Sequence, residues 1–384
     1  MRTAATQRLL TVLLGLGGAL AAVVLAYAVS SVAILAAGAD PLVAFAAMFD
    51  FGASETSVVN AVTYILNRAT PLFIAGLAVA IGFRMNLFNI GVEGQYRIAA
   101  IFAAFVGSQF VLPAPLHITL VIIVGMAAGG LYALIPALLK VYRGVNEVIS
   151  TIMLNFIATG MAAFLVRGPF AGEREEGQLT TSTPELPESA WFPDLNVLFT
   201  MVGLPAPRGA GLFGFLAVAI VVGVLVWVLL EFTRFGFEVK ASGLNNTAAL
   251  ASGVNPKRMI ISAMVLSGAI AGLIGLPEIL GRTHAYGTSF TPQLGFLGIA
   301  VALLGRNKPV GIALAALLFG FLDRASGPLQ LADIPPSVVA IIQGAIVLMV
   351  VIANEITRRI ALRWEERRAA AATAPAGQAA EVGA

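Results

Sequence analysis

Cysteine is absent from the 384 residues, which excludes disulfides, thiolate metal sites and thiol redox chemistry. Histidine is nearly absent: His117 and His284 stand far apart and lack the spacing of metal ligands. Charge is scarce as well, at 11% of residues against roughly 25% in a soluble domain. No G-x-x-x-x-G-K-[ST] phosphate loop occurs, so the chain has no means of hydrolysing ATP by itself. Facing catalytic pairs of an intramembrane protease are missing too, and Ser150 and Ser262 read as helix-packing polar residues.

Hydrocarbon fills the space these absences leave. Hydrophobic residues make up 59% and the mean hydropathy is +0.92, values of a polytopic integral membrane protein. The 40 glycines fit helices that pack closely in lipid. A net charge of +3 reflects loop topology, so membrane lipid is the expected surrounding and nucleic acid is not a partner. The first apolar run, from Leu9 to Ala37, is too long for a signal-peptide core and reads as a retained span.

Judged against about 20 residues per crossing, the chain divides into about ten spans. They lie near 9–37, 58–83, 90–111, 118–140, 147–167, 211–230, 259–280, 288–305, 309–324 and 336–354. Pro113 and Pro115 cut one long uncharged run into two helices. The eighth and ninth spans are short, and Pro292, Gly295 and Gly298 mark a broken or re-entrant segment. The fold class is therefore all-α, a polytopic transmembrane helical bundle. Lys and Arg gather on one side, at Arg84, Lys140, Arg143, Lys240, Lys257, Arg306 and Lys308 among others. Acids gather on the other, at Asp40, Asp50 and Glu55, which places both termini in the cytoplasm.

Two stretches fall outside the spans. The outer loop 168–210 is rich in proline and acid, which argues against a folded domain. It leaves open an amphipathic piece on the membrane or a docking surface for an outside partner. Residues 355–368 read as a basic helix along the inner leaflet, and the Ala-rich tail from Ala369 as disordered.

Three polar motifs interrupt the hydrocarbon. The first, Phe88 to Arg97, sets Asn89, Glu93, Gln95 and Arg97 at the head of a run with no charge from Ile98 to Leu139. Ionisable groups at that depth are functional candidates, and two flanking glycines suit a broken helix. The plainer alternative is a buried polar network that only fastens helices. In the second, Asn146, Glu147 and Asn155 begin the fifth span, and Glu147, Thr151 and Asn155 share one helical stripe. That stripe either lines a polar pathway with the first motif, or Glu147 merely caps its helix at the membrane surface. Asn67 and Arg68 face the same interior, with Arg68 neutralising Glu93 or snorkelling outward. Glu278, Arg282 and His284 either shape the outer mouth or form a surface pair. Phe88, Tyr96 and Phe102 are available to stack on a base or simply to pack. The third motif is the inner loop 232–258, where Asn245 or Asn246 caps a stub helix through Ala248 and Ala249 that Gly253 and Pro256 end. Gly243 and Gly253 bound it, which suits docking into a groove on a soluble partner.

These motifs carry a resemblance. Phe88-Asn89-Ile90-Gly91-Val92-Glu93-Gly94-Gln95, the stretch Gly144 to Asn155, the stretch Gly243 to Gly253, and Gly298 to Gly305 followed by Pro309 resemble the permease subunit of bacterial ABC importers. The class is that of sugar and branched-chain amino acid permeases, and the likeness is greatest to nucleoside and simple-sugar permeases. It covers about residues 58 to 354, which makes 58–354 a permease core, 1–57 an N-terminal span with its outer connection, and 355–384 a cytoplasmic extension. The resemblance implies a multi-pass subunit of the bacterial inner membrane that moves a nucleoside or simple sugar by alternating access. It implies a second, related permease, cytoplasmic ATPases that bind the ATP, and an extracytoplasmic substrate-binding protein. The chain itself then needs no cofactor and is not an enzyme. Asn89, Glu93, Gln95, Asn146, Glu147 and Asn155 are the expected pathway residues. Gly243, Asn245, Asn246, Ala248, Ala249, Gly253 and Pro256 form the expected coupling element, where a bulky residue at Ala249 should uncouple ATP hydrolysis from transport. Two other classes stay open on the residues alone: an ion-coupled secondary transporter using Glu93 or Glu147, and a membrane scaffold without flux.

Overall fold

The computed structural model describes residues 23–173 and 180–373. They are helical, and the one extended pairing among them is an isolated bridge between Ser182 and Gly287. In chain order the helices are α1 (Val23–Ala36), α2 (Pro41–Met48), α3 (Glu55–Arg84), α4 (Val92–Ser108), α5 (Ala114–Arg143), α6 (Glu147–Arg167) and α7 (Val197–Met201). They continue with α8 (Phe215–Phe232), α9 (Arg234–Leu244), α10 (Asn246–Ala251), α11 (Pro256–Ala271), α12 (Leu276–Glu278), α13 (Leu294–Leu304), α14 (Pro309–Leu331) and α15 (Ser337–Thr373).

Seven of the described helices are long and apolar enough to cross a membrane, or eight if α1 and α2, bent by 112°, count as one span. Of the about ten crossings expected, the described residues thus show seven or eight. Helix α4 has 17 residues and α13 only 11, and 11 residues reach about 17 Å of the roughly 30 Å hydrocarbon core. The broken eighth segment is there as expected, in α13. The ninth is a full helix, α14, of 23 residues. Residues 9–22 of the expected first span lie outside the described residues. So do 374–384 of the expected tail, whereas residues 369–373 continue α15.

Residues 50–324 form one compact unit, and the described parts of 1–49 and 325–384 belong to another. In the latter, Asp40 caps α2 through the Leu42 amide at 2.8 Å, Gly38 takes a φ of 82° at the bend, and Tyr27 stacks on Phe45. In the larger unit, α3 starts at the Ser54 cap and is enclosed along most of its length. The tightest crossing joins α5 to α11. Gly125 and Gly129 on α5 meet Gly268 and Gly272 on α11, so each helix presents a small residue every fourth position. A Cβ on Gly268 would lie 2.5 Å from the Gly129 carbonyl oxygen. The two backbones touch, and no other residue type fits.

The outer loop carries small elements of its own and is not a folded domain, but it is firmly tied down. Thr183 and Leu186 donate backbone hydrogen bonds to Tyr286 and His284 at 2.9 and 2.8 Å, and Phe192 donates to Leu280. Trp191 stacks on His284 with ring centroids 3.9 Å apart. Residues 174–179 of this loop lie outside the described residues. The His284 imidazole is pushed below its usual value of about 6.5 by burial, against a smaller opposing pull from Glu185. A released loop therefore binds the proton more readily than a docked one. The stability this contact adds is complete above pH 6.5 or so and is lost as pH falls through the lowered value. Acidification is expected to change Trp191 emission in the wild type and to leave a His284→Gln variant flat; identical pH curves would refute the contact's role.

Candidate functional site

The first motif breaks the chain between α3 and α4. After Arg84 the backbone turns through Asn86 at φ 53°, and α4 does not begin until Val92. Amide side chains then stitch the break to three neighbouring helices. Asn89 and Gln95 exchange reciprocal hydrogen bonds at 3.0 Å, and Asn89 also donates to Ser267 of α11 at 2.9 Å. Ser267 passes the link to the Ala78 carbonyl of α3 at 2.6 Å. On the other side, Asn155 of α6 accepts from the Gly94 amide at 2.8 Å and donates to the Ile90 carbonyl at 3.0 Å. Gly94 has to be glycine, because a Cβ there would sit 2.8 Å from that Asn155 oxygen.

Glu93 does something different. Its carboxylate is buried and accepts from the backbone amides of Gln293 and Gly295, each at 3.0 Å. Those amides open α13, so an acid one helix away caps the half-length helix and complements its positive end. Arg97 pairs with the same carboxylate at 2.9 Å, which supplies the counter-charge. Tyr96 lies against Glu93 and donates to the Thr291 carbonyl at 2.8 Å. Arg68, read as either a partner of Glu93 or a side chain snorkelling outward, pairs with Asp323 at 2.9 Å. Tyr96 is fully buried and Phe102 packs edge-on against Phe170, whereas Phe88 meets Phe83 edge-on but stays about half exposed.

Asn146 and Glu147 stand at the start of α6, about two turns before Asn155. Asn146 caps the helix through the Val148 amide at 2.8 Å, and Glu147 pairs with Lys140 at 2.6 Å. Of the expected pathway residues, Asn89, Glu93, Gln95 and Asn155 come together, and these two do not join them.

The inner loop folds as α9 and α10. Asn245 caps α10 through the Thr247 and Ala248 amides at 2.9 and 3.0 Å, Gly253 turns the chain at φ 81°, and Asn255 with Pro256 opens α11. Ala249 faces inward and is buried, whereas Asn246, Ala248 and Leu250 are exposed. A bulky residue at Ala249 would disturb packing before it disturbed any partner, so Leu250 is the better probe of docking. Gly243 abuts the end of α3: a Cβ there would lie 2.7 Å from the Met85 Cα, and Asn86 donates to the Gly243 carbonyl at 2.7 Å. The inner loop is bolted to α3.

At the opposite end of α3 lies a polar cavity of about 450 Å3, within the range of ligand pockets. Asn60, Tyr64, Asn67 and Arg68 of α3 line it, facing Glu278 and Thr291 across it. Asn67 is held by the Gly211 carbonyl and the Phe213 amide, both at 2.8 Å. Glu278 accepts from Thr291 at 2.8 Å and also pairs with Arg282. Thr291 thus joins the cavity wall to Tyr96 and the Glu93 knot behind it. Sequence reasoning flagged Asn67, Arg68, Glu278 and Arg282 here but missed Asn60, Tyr64 and Thr291. The signal was present as a polar stripe at Asn60, Tyr64, Asn67 and Arg68, one face of a helix. Replacing Asn155 with Leu strands the Gly94 amide and the Ile90 carbonyl, at about 1–3 kcal/mol each. The Asn155→Leu variant is expected to melt several degrees lower in detergent, and an unchanged Tm would contradict the stitching role.

Comparison with known proteins follows the same lines. The family described as branched-chain amino acid transport system / permease component matches residues 60–351. A glucose ABC transporter permease protein of Haloferax volcanii is 34% identical over 358 residues, covering 90% of each chain. A guanosine ABC transporter permease protein of Bacillus subtilis is 37% identical over 292 residues, 74% of this chain and 79% of the relative. A nucleoside ABC transporter permease protein of Lactococcus lactis is 31% identical over 341 residues, 87% of this chain and 90% of the relative. The same Bacillus has a second, different guanosine permease protein that also matches, at 27% identity over 67% of this chain and 79% of the relative. No solved structure matches the chain. Membership removes the ion-coupled transporter and the inert scaffold from consideration. The chain belongs to the family of ABC permease components, a multi-pass transport subunit of the cell membrane that is not itself an ATPase.

Proposed function

We propose that this permease moves a nucleoside or a simple sugar into the cell, with the outer cavity on α3 as the place where substrate first meets the chain. The observation that carries this reading is the position of α3, a single 30-residue helix. One end presents Asn60, Tyr64, Asn67 and Arg68 to the cavity, and the other is locked to the inner loop at Gly243. The cavity's amides, guanidinium and carboxylate suit a neutral solute rich in hydroxyls. The Tyr64 ring offers a face for a base or a sugar ring. The relatives named for glucose, guanosine and nucleosides fall in the same chemical range. Asn89, Glu93, Gln95 and Asn155 serve the pathway from behind, by fixing the floor that Thr291 and α13 form. Asn146 and Glu147 guard its inner end.

As a permease component the chain works with ATP-hydrolysing and substrate-binding components. In the proposed assembly the stub helix α10, framed by Gly243, Asn245, Asn246, Gly253 and Pro256, docks on a cytoplasmic ATPase through Ala248 and Leu250. ATP-driven movement of the stub reaches α3 directly and switches the cavity between its two openings. A second, non-identical permease completes the unit, in keeping with the paired guanosine permease proteins of Bacillus subtilis. Both termini then lie in the cytoplasm, with 58–354 as the transport core.

Uptake by the reconstituted transporter is expected to need ATP and to be competed by guanosine, uridine or glucose. Uptake that survives ATP removal, or ignores all three solutes, would refute the proposal. A Leu250→Glu variant should insert normally and lose transport about tenfold or more while the ATPase still turns over, since a desolvated charge at a docking surface costs over 1.4 kcal/mol. Normal uptake by this variant would count against α10 as the docking element. Replacing Tyr64 with Leu is expected to raise the KM for uptake about threefold to tenfold, the worth of one stacked ring. An unchanged KM would move the substrate site elsewhere.

A further inference from the structure

Two adjoining cavities lie on the flank of the larger unit, and neither shares a lining residue with the polar cavity described above. The first is an apolar groove of about 390 Å3 between α3, α8 and α14. Its floor is made of Phe73, Gly223 and Ala316, and its sides include Ile220, Ala313 and Leu317. Ile220, Val224 and Leu314 nearby are more than half exposed, so the groove opens sideways, where a bilayer's acyl chains would be. The second is a pocket of about 810 Å3 at the end of the groove, on the same side as the 232–258 loop. Arg84, Lys240, Arg306 and Lys308 line it against a single acid, Glu231, which pairs with Arg84. Trp227, Pro309 and Val310 line both cavities and so make them continuous.

The cationic pocket has further features of an anion site. The first turn of α14, a 23-residue helix, lines it with the positive end of its dipole. Consecutive Arg306 and Asn307 both adopt left-handed backbone, at φ 55° each. Such strain in two non-glycine residues persists only where surrounding structure enforces it, and here it sets Arg306 and Lys308 on the pocket rim. Trp227 packs edge-on against Phe232 at the junction of apolar and charged lining, the level at which tryptophan sits in a bilayer interface.

From this arrangement we infer a binding site for an anionic phospholipid, with one acyl chain in the α3–α8–α14 groove and the phosphate headgroup among Arg84, Lys240, Arg306 and Lys308. The inference does not depend on which solute is carried. A soluble anion would use the pocket but not the groove, and a packed helix from another chain would use the groove but not the cationic pocket. Only a molecule with a long apolar chain and a negative head matches both parts.

Native mass spectrometry of the assembled transporter tests the site, with phosphatidylglycerol as the probe and phosphatidylcholine as the neutral comparator. Lys240→Gln with Lys308→Gln is expected to reduce retained phosphatidylglycerol roughly tenfold, with phosphatidylcholine unchanged. Arginine at both positions should restore retention, which separates lost charge from lost folding. Ala313→Trp fills the groove and leaves every cation in place, and it too should reduce retention. Wild-type retention in the double glutamine variant would overturn the site. Retention lost there but kept in Ala313→Trp would mean a plain phosphate pocket and would equally overturn it. Loss of a protein subunit from the complex with lipid retention intact would assign the patch to that subunit instead.

Discussion

A carboxylate buried inside a protein has to be satisfied, and Glu93 is satisfied by the start of the short helix α13. The backbone amides of Gln293 and Gly295 meet it at 3.0 Å, and Arg97 balances its charge. Without that acid, the first turn of α13 would leave unpaired amides in a space from which water is excluded, at several kcal/mol. Without α13, the acid would have only Arg97 and Tyr96. Each makes the other tolerable. The consequence reaches the outer cavity, because Thr291 lies just before α13 and is held by Tyr96 on one side and Glu278 on the other. The cavity floor stands where the Glu93 contact puts it.

Around this knot the chain economises on side chains so that backbones can touch. Helices α5 and α11 meet through four glycines, Gly94 makes room for Asn155, and Gly243 lies against Met85. Such contacts tolerate little sliding, so neighbouring helices move together or not at all. The 30-residue α3 borders the polar cavity along one half and the 232–258 loop at its end. It carries the polar stripe of the cavity outward and meets the inner loop directly, with no flexible linker between them. Its inner end also borders the cationic pocket, so a bound lipid would press on the same helix that the inner loop moves.

Much of this was legible in the sequence. Composition alone gave a polytopic helical protein, and the glycine-flanked acid at Glu93 announced a broken helix. The cap of α10 was readable to within one residue, Asn245 or Asn246, because short polar side chains before a helix have one dominant use. Three things were not readable. The helical extent of the eighth span was hidden, because an apolar run of 288–305 has the composition of a span while only 294–304 are helical. Arg68 was left between Glu93 and an outward-snorkelling position when its partner is Asp323, since pairing across 255 positions follows from packing and leaves no local trace. The inward turn of Ala249 was hidden for a different reason: six residues are too few to show a hydrophobic face.

The central claim is that movement of the inner loop and opening of the outer cavity are one motion carried by α3. The natural absence of cysteine allows a direct test, because two introduced thiols would be the only ones in the chain. Arg208→Cys and Arg282→Cys place spin labels on two sides of the cavity, and pulsed electron resonance reads their separation in the assembled transporter. The account predicts that the separation changes between the nucleotide-free and ATP-trapped states, and that Leu250→Glu abolishes the change. An outer separation that stays fixed in both states while transport proceeds would contradict it.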